Sequence, residues 1–195
     1  MKKIDKVFVT NGCSNHSNKI RQNEDYYATD PRAAILLCEE EKFTSVVYEP
    51  CIGVGHLAEG LIKSGYSVIG SDIVDRGYPN TIIRDFLTYI PEKPIDIDII
   101  TNPPYEGCIS YVKHALDIVS EGRKVAMFLK LTFLEGKSRK DFFYNFPPKV
   151  VYVCSGRIVC AMNGDFETYH SSAIAYCWYV WEKGYKGDTI IKWIN

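Results

Sequence analysis

Apolar residues recur in two rhythms along this 195-residue chain. Five runs rich in β-branched and other apolar residues, Thr44–Glu49, Tyr66–Asp72, Ile95–Asn102, Lys124–Lys130 and Lys149–Ser155, predict β-strands. Helical spacing falls between most of them. Residues 55–65, GHLAEGLIKSG, set Leu57, Leu61 and Ile62 on one face before a glycine stop, and residues 108–122 repeat the arrangement with Ile109, Val112, Leu116 and Val119. Residues 30–43, DPRAAILLCEEEKF, predict a helix with Pro31 in its first turn. Residues 81–87, TIIRDFL, read as a further short strand or turn. Strands alternating with helices predict a mostly parallel sheet covered on both faces. The tail departs from this rhythm: the aromatic run over residues 171–185 is followed by residues 188–194 after a Gly-Asp turn, which predicts a closing antiparallel hairpin with Trp178 and Trp181 in the core.

Neither linker nor repeat interrupts the pattern, so residues 1–195 are expected to form a single domain without a separate target-recognition domain. A composition of 46% hydrophobic and 24% charged residues excludes disordered and fibrous classes. Seven cysteines are an odd number without a CxxC pair, and the N-terminus carries no signal-like apolar stretch, so they read as reduced thiols of a cytoplasmic protein. No apolar run is long enough to span a membrane. His16, His56, His114 and His170 have no metal-ligand spacing, and no metal is expected. The net charge of −1 gives no global basic field, which confines nucleic-acid contact to local stretches such as Lys137, Arg139 and Lys140, or Lys19 and Arg21.

Two loci carry candidate chemistry. The first is VVYEPCIGVGHLAEGL, a strand, a turn with Gly53 and Gly55, and a helix, where glycines allow close backbone approach and the helix start offers amide donors. It has neither the third glycine of a dinucleotide fingerprint nor the Gly-Lys-Ser/Thr of a phosphate loop. Glu49 followed by Pro50 disfavours an anionic ligand there and favours a sulfonium or ammonium group. Asp72 ends the next strand, where a ribose diol is held in folds of this kind. The second locus is IITNPPYEG, in which two prolines stop a strand in a rigid turn behind Asn102.

In the order DYYATDP, EPCIGVGHL, GSDI, RDFL and TNPPY, these segments resemble class I S-adenosylmethionine-dependent methyltransferases, and NPPY resembles the signature of phage-like DNA adenine-N6 methyltransferases. The resemblance implies a Rossmann-like α/β fold with a mostly parallel seven-stranded sheet, an antiparallel C-terminal hairpin and helices on both faces. Residues 1–43 would form an N-terminal segment and helix closing over the cofactor.

It further implies that S-adenosyl-L-methionine is held by Tyr27, Thr29, Glu49, Pro50, Gly53, Gly55, His56, Leu57, Asp72, Ile73, Asp85, Phe86 and Asn102. Asn102 and Pro103 would accept the target amine's hydrogens, Pro104 would fix their geometry, and Tyr105 would stack on the extruded base. The segment after the fifth strand, with Phe133, Glu135, Lys137, Arg139 and Lys140, resembles the part of such enzymes that the substrate strand passes. The implied partner is a nucleic acid, DNA first, and the expected state a monomer or weak homodimer. The same NPPY geometry also suits an RNA base or a protein glutamine, and a methyltransferase fold can serve as a silent binding module.

Overall fold

The computed structural model describes residues 27–162, 166–167 and 173–195. In chain order the elements are β1 (Tyr27–Thr29), α1 (Arg32–Glu40), β2 (Val46–Glu49), α2 (His56–Lys63), β3 (Ser67–Asp72), β4 (Ile82–Ile83) and β5 (Asp98–Thr101). There follow α3 (Cys108–Ile118), β6 (Lys124–Lys130), α4 (Lys140–Asn145), β7 (Val150–Cys154), β8 (Cys160–Met162), β9 (Tyr176–Glu182) and β10 (Ile190–Ile194). Short 3-10 turns cover Phe86–Thr88, Leu131–Leu134 and Lys137–Arg139.

The main sheet has eight strands in the order β10-β7-β9-β6-β5-β2-β3-β4. Every adjacent pair is parallel except those made by β9, which runs antiparallel to both β6 and β7. β1 and β8 form a separate antiparallel ribbon. The five apolar runs each contain a strand (β2, β3, β5, β6 and β7), and the mainly parallel sheet with helices matches the expected class. It has eight strands where the resemblance implies seven, with the two-residue β4 on one edge and β10 on the other, and the β1–β8 ribbon is an element the sequence pattern does not predict.

The expected pairing of the last two strands is corrected. Residues 176–182 and 190–194 do not form a hairpin with one another. β9 is buried along six of its seven residues and alternates its aromatic residues between two faces. Tyr176, Trp178 and Val180 enter the core shared with Ala33, Leu37, Leu57 and Leu61, while Cys177, Tyr179 and Trp181 enter the core shared with Val112, Leu116 and Phe142. A strand apolar on both sides is stable only in the interior of a sheet, so β9 lies between β6 and β7. β10, with Ile190, Ile191 and Trp193 at least half exposed, takes the remaining edge of β7 in parallel. The antiparallel C-terminal pair is therefore β7 with β9.

Both tryptophans are core, as expected, and each also ties down a neighbouring segment. Trp178 Nε1 donates to the Ala33 carbonyl in α1 at 2.8 Å, and Trp181 Nε1 to the Phe146 carbonyl just past α4 at 2.9 Å. Among the described residues no helix is long and apolar enough to cross a membrane.

The helix α1 does not close over a ligand cleft. Its Ala33, Ala34 and Leu37 are fully buried and pack with α2, so of the expected N-terminal cover within the described residues it is β1 that reaches the site. The contact between the two helices is close because α2 carries Gly60, where an added Cβ would overlap the Pro31 carbonyl. Alanine in a helix interior is favoured over glycine by about 1 kcal/mol. Overpacking against an immovable backbone atom costs about 1–3 kcal/mol. Gly60→Ala should therefore lower stability, read as a reduced denaturant midpoint with unchanged slope, although the same change at an exposed helical position would raise it.

Candidate active site

Parallel pairing of β3, β2 and β5 aligns their C-terminal ends, and the residues at those ends are Glu49, Asp72 and, one past Thr101, Asn102. With β1 and the start of α2 they line a cleft with about 770 Å³ of empty space, open solvent included. Thr29, Pro50, His56, Leu57, Ile73, Asp85, Phe86, Pro103, Pro104 and Tyr105 all line it, whereas the turn glycines Gly53 and Gly55 are not part of its lining.

The turn after β2 is shaped by its glycines. Gly53 and Gly55 have φ of +59° and +90°, and a Cβ on Gly55 would collide with the Tyr78 ring. Asp72 holds this turn in place: one carboxylate oxygen accepts from Gly53 N at 2.8 Å and the other from Val74 N at 3.1 Å, with Arg76 Nε 3.9 Å away. The acid expected to meet a ligand's hydroxyls thus also locks the glycine turn to the end of β3.

Glu49 is the anomaly of the cleft. It is 1% exposed, and its Oε2 is buried without a hydrogen-bond partner. Burial first, and then the Asp72 charge, push its carboxyl well above the usual carboxylate range. An unpartnered carboxyl at the wall of a cleft suits a ligand that brings positive charge or donors to it.

Across the cleft, Asp85 caps the following 3-10 turn by accepting from Leu87 N at 3.0 Å. That capping sets Phe86, which stacks on Tyr111 at 5.7 Å and meets His114 edge-on at 4.9 Å. The result is a flat apolar wall. His56, at the start of α2, contacts the Phe166 ring at 5.2 Å.

Asn102 Nδ2 donates to Thr29 Oγ1 at 2.8 Å. The bond turns the amide nitrogen toward the β1–β8 ribbon and its oxygen the other way, with Pro103 and Pro104 in the same wall. Tyr105 packs on Tyr176 at 6.3 Å with an interplanar angle of 30°, and Lys130 Nζ lies 4.6 Å from its ring centroid.

A second, more open cavity, with about 400 Å³ of empty space including open solvent, begins on the same tyrosine and is lined by Cys108, Leu129, Lys130, Thr132, Phe133 and Arg139. Tyr105 is the residue common to the two linings. Arg139 is engaged by its own loop: Nε donates to the Glu135 carbonyl at 2.6 Å and a terminal nitrogen to the Thr132 carbonyl at 3.0 Å, while the guanidinium lies 5.4 Å from the Phe133 centroid. It braces the cavity wall. Phe133 is buried, whereas Glu135, Lys137 and Lys140 are exposed. The side chain of Tyr27, together with His16, Lys19, Arg21 and His170, lies outside the described residues.

Sequence reasoning did not single out Arg76, Arg84, Tyr111 or Tyr176. The two arginines sit beside the acidic residues of the first cleft, and the signal for Tyr111 was its place one turn inside α3 from the NPPY segment. Among the described residues no group of three or more His, Cys, Asp or Glu could hold a metal.

The sequence matches no protein-family model and no curated protein at a significant level. Solved structures do match. A Listeria monocytogenes protein assigned to the class I S-adenosylmethionine-dependent methyltransferases superposes with a TM-score of 0.54 at 12% identity, over 83% of this chain and 62% of that one. The 23S rRNA methyltransferase ErmE gives 0.52 at 17% identity, over 85% and 73%, and the M protein of the type I restriction enzyme EcoKI gives 0.55 at 15% identity, over 92% and 47%. The chain thus spans less than two thirds of the Listeria and EcoKI proteins. Identities this low establish a shared architecture and nothing finer: the fold is the Rossmann-like one of class I methyltransferases.

Proposed function

We propose that the chain is an S-adenosylmethionine-dependent methyltransferase that modifies the exocyclic amine of adenine in DNA. The observation that carries this reading is the Asn102–Thr29 hydrogen bond, which orients an amide at the head of a rigid Asn-Pro-Pro-Tyr turn where the cleft meets the second cavity. The first cleft fits the cofactor through the glycine turn, the apolar wall of Phe86, and the unpartnered Glu49 carboxyl, which answers a cationic group. When bound, S-adenosylmethionine supplies an activated methyl group on sulfur.

The chain's own residues meet the remaining difficulty. An aromatic amine is a weak nucleophile because its lone pair is delocalised into the ring. Asn102 Oδ1 and the Pro103 carbonyl accept the amine's two hydrogens, drawing electron density back onto nitrogen, and the prolines keep the two acceptors at a fixed separation. Tyr105 supplies a flat surface for the ring, at the boundary between the two cavities.

Transfer of tritium from labelled cofactor, with DNA, RNA and a glutamine-containing peptide offered separately, tests the assignment directly: label in DNA supports it, and label in peptide alone overturns it. Asn102→Ala should lose turnover by about 10²–10³-fold while still binding cofactor. Tyr105→Phe should remain active, and Tyr105→Ala should lose about 1–3 kcal/mol of stacking. Folded variants at these positions that transfer methyl at the wild-type rate would contradict the assigned roles.

Glu49 yields a prediction with opposite signs for binding and stability. Its proton is held more tightly folded than unfolded, so the stability it contributes is full below the ordinary carboxylate range and is lost as pH rises through the raised folded value. Glu49→Gln should therefore melt at a higher temperature than wild type at neutral pH, with the advantage disappearing near pH 4, and should bind cofactor more weakly. Equal melting temperatures at both pH values would show that Glu49 has a partner in solution.

A further inference from the structure

Lys130 ends β6, directly opposite Tyr176 across the antiparallel β6–β9 pair, so the two side chains share a face of the sheet and both reach Tyr105. The residue is half-buried, and among the described residues its ammonium makes neither an ion pair nor a hydrogen bond; its contact is with the Tyr105 ring. The cavity it lines contains a second cation, Arg139, and among the described residues of its lining no acidic side chain. Arg139 directs donors to the Glu135 and Thr132 carbonyls, which leaves Lys130 as the uncommitted cation among the described residues of the lining. A half-buried ammonium beside a second cation, with no acid among the described residues of the cavity lining, is complementary to an anion. Because Tyr105 belongs to both cavities, an anion held here lies beside the planar group that reaches Asn102.

We propose that Lys130 binds a phosphate of the nucleotide whose ring enters this cavity, and so selects a nucleic-acid substrate over an uncharged side-chain amide. The proposal rests on the methyltransferase reading given above. A ring stacking on Tyr105 displaces the ammonium from the tyrosine face, and the four-carbon lysine stem carries it to the ring's periphery, where the sugar-phosphate lies. Attraction to phosphate is independent of sequence, so the residue contributes affinity and salt dependence and leaves the choice of base to other groups.

The test is binding of a random-sequence single-stranded DNA oligonucleotide, followed by fluorescence anisotropy across a salt series in the presence of S-adenosylhomocysteine. Lys130→Met, which keeps the apolar stem, should weaken binding about tenfold and reduce the log–log salt slope by about 0.7, the increment for one phosphate on a single strand. Lys130→Arg should restore both, and the melting temperature and S-adenosylhomocysteine affinity should be the same in all three proteins. Lys130→Gln serves as a second neutral variant in case Met perturbs the end of β6, and it should reproduce the loss of slope. Wild-type affinity and slope in both neutral variants would overturn the assignment of Lys130, whether or not methyl transfer to DNA is observed. A wild-type protein that binds no oligonucleotide and methylates only the glutamine peptide would instead overturn the methyltransferase reading's DNA substrate and this inference together.

Discussion

The constraint on which the rest of the structure depends is the parallel pairing of β3, β2 and β5. Parallel strands end on the same side of a sheet, so Glu49, Asp72 and Asn102, separated by more than twenty residues at each step, become neighbours without a dedicated contact between their side chains. The turns leaving those ends then differentiate the site. Gly53 and Gly55 open the first, Asp72 secures it through Gly53 N, and two prolines stiffen the third. The β1–β8 ribbon completes the wall by presenting Thr29 to Asn102.

This arrangement works against stability at one point. A buried carboxyl without a partner is worth several kcal/mol less than a well-solvated or well-paired one, and Glu49 has that environment in the free protein. The offset lies in the sheet beside it, where β9 buries large side chains on both faces and two indole nitrogens bond to backbone carbonyls, one in α1 and one past α4. Stability built in the aromatic half of the molecule thus sustains a destabilising group in the half that carries the cleft.

Much of this was legible in the sequence because its causes are local. β-branched runs marked β2, β3, β5, β6 and β7, and the glycines, the acids at strand ends and NPPY marked the cleft. What could not be read depends on distant partners. The run ending in Trp181 announces a buried strand, but its place between β6 and β7, and the displacement of β10 to the edge, follow from which edges remain open once the parallel strands have paired. Lys130 and Tyr105 meet only through the register that sets Lys130 opposite Tyr176. Arg139 looked like a free cation because its acceptors are main-chain carbonyls, brought within reach by a 3-10 turn and by Gly136 at φ +118°.

Isothermal calorimetry of S-adenosylmethionine against the wild-type protein tests the central claim most directly, because every role assigned to Glu49, Asp72 and Asn102 presupposes that this cleft holds that molecule. One saturable site per chain is predicted, competed by S-adenosylhomocysteine. The absence of binding heat in every buffer, together with an unchanged melting temperature at saturating ligand, would contradict it.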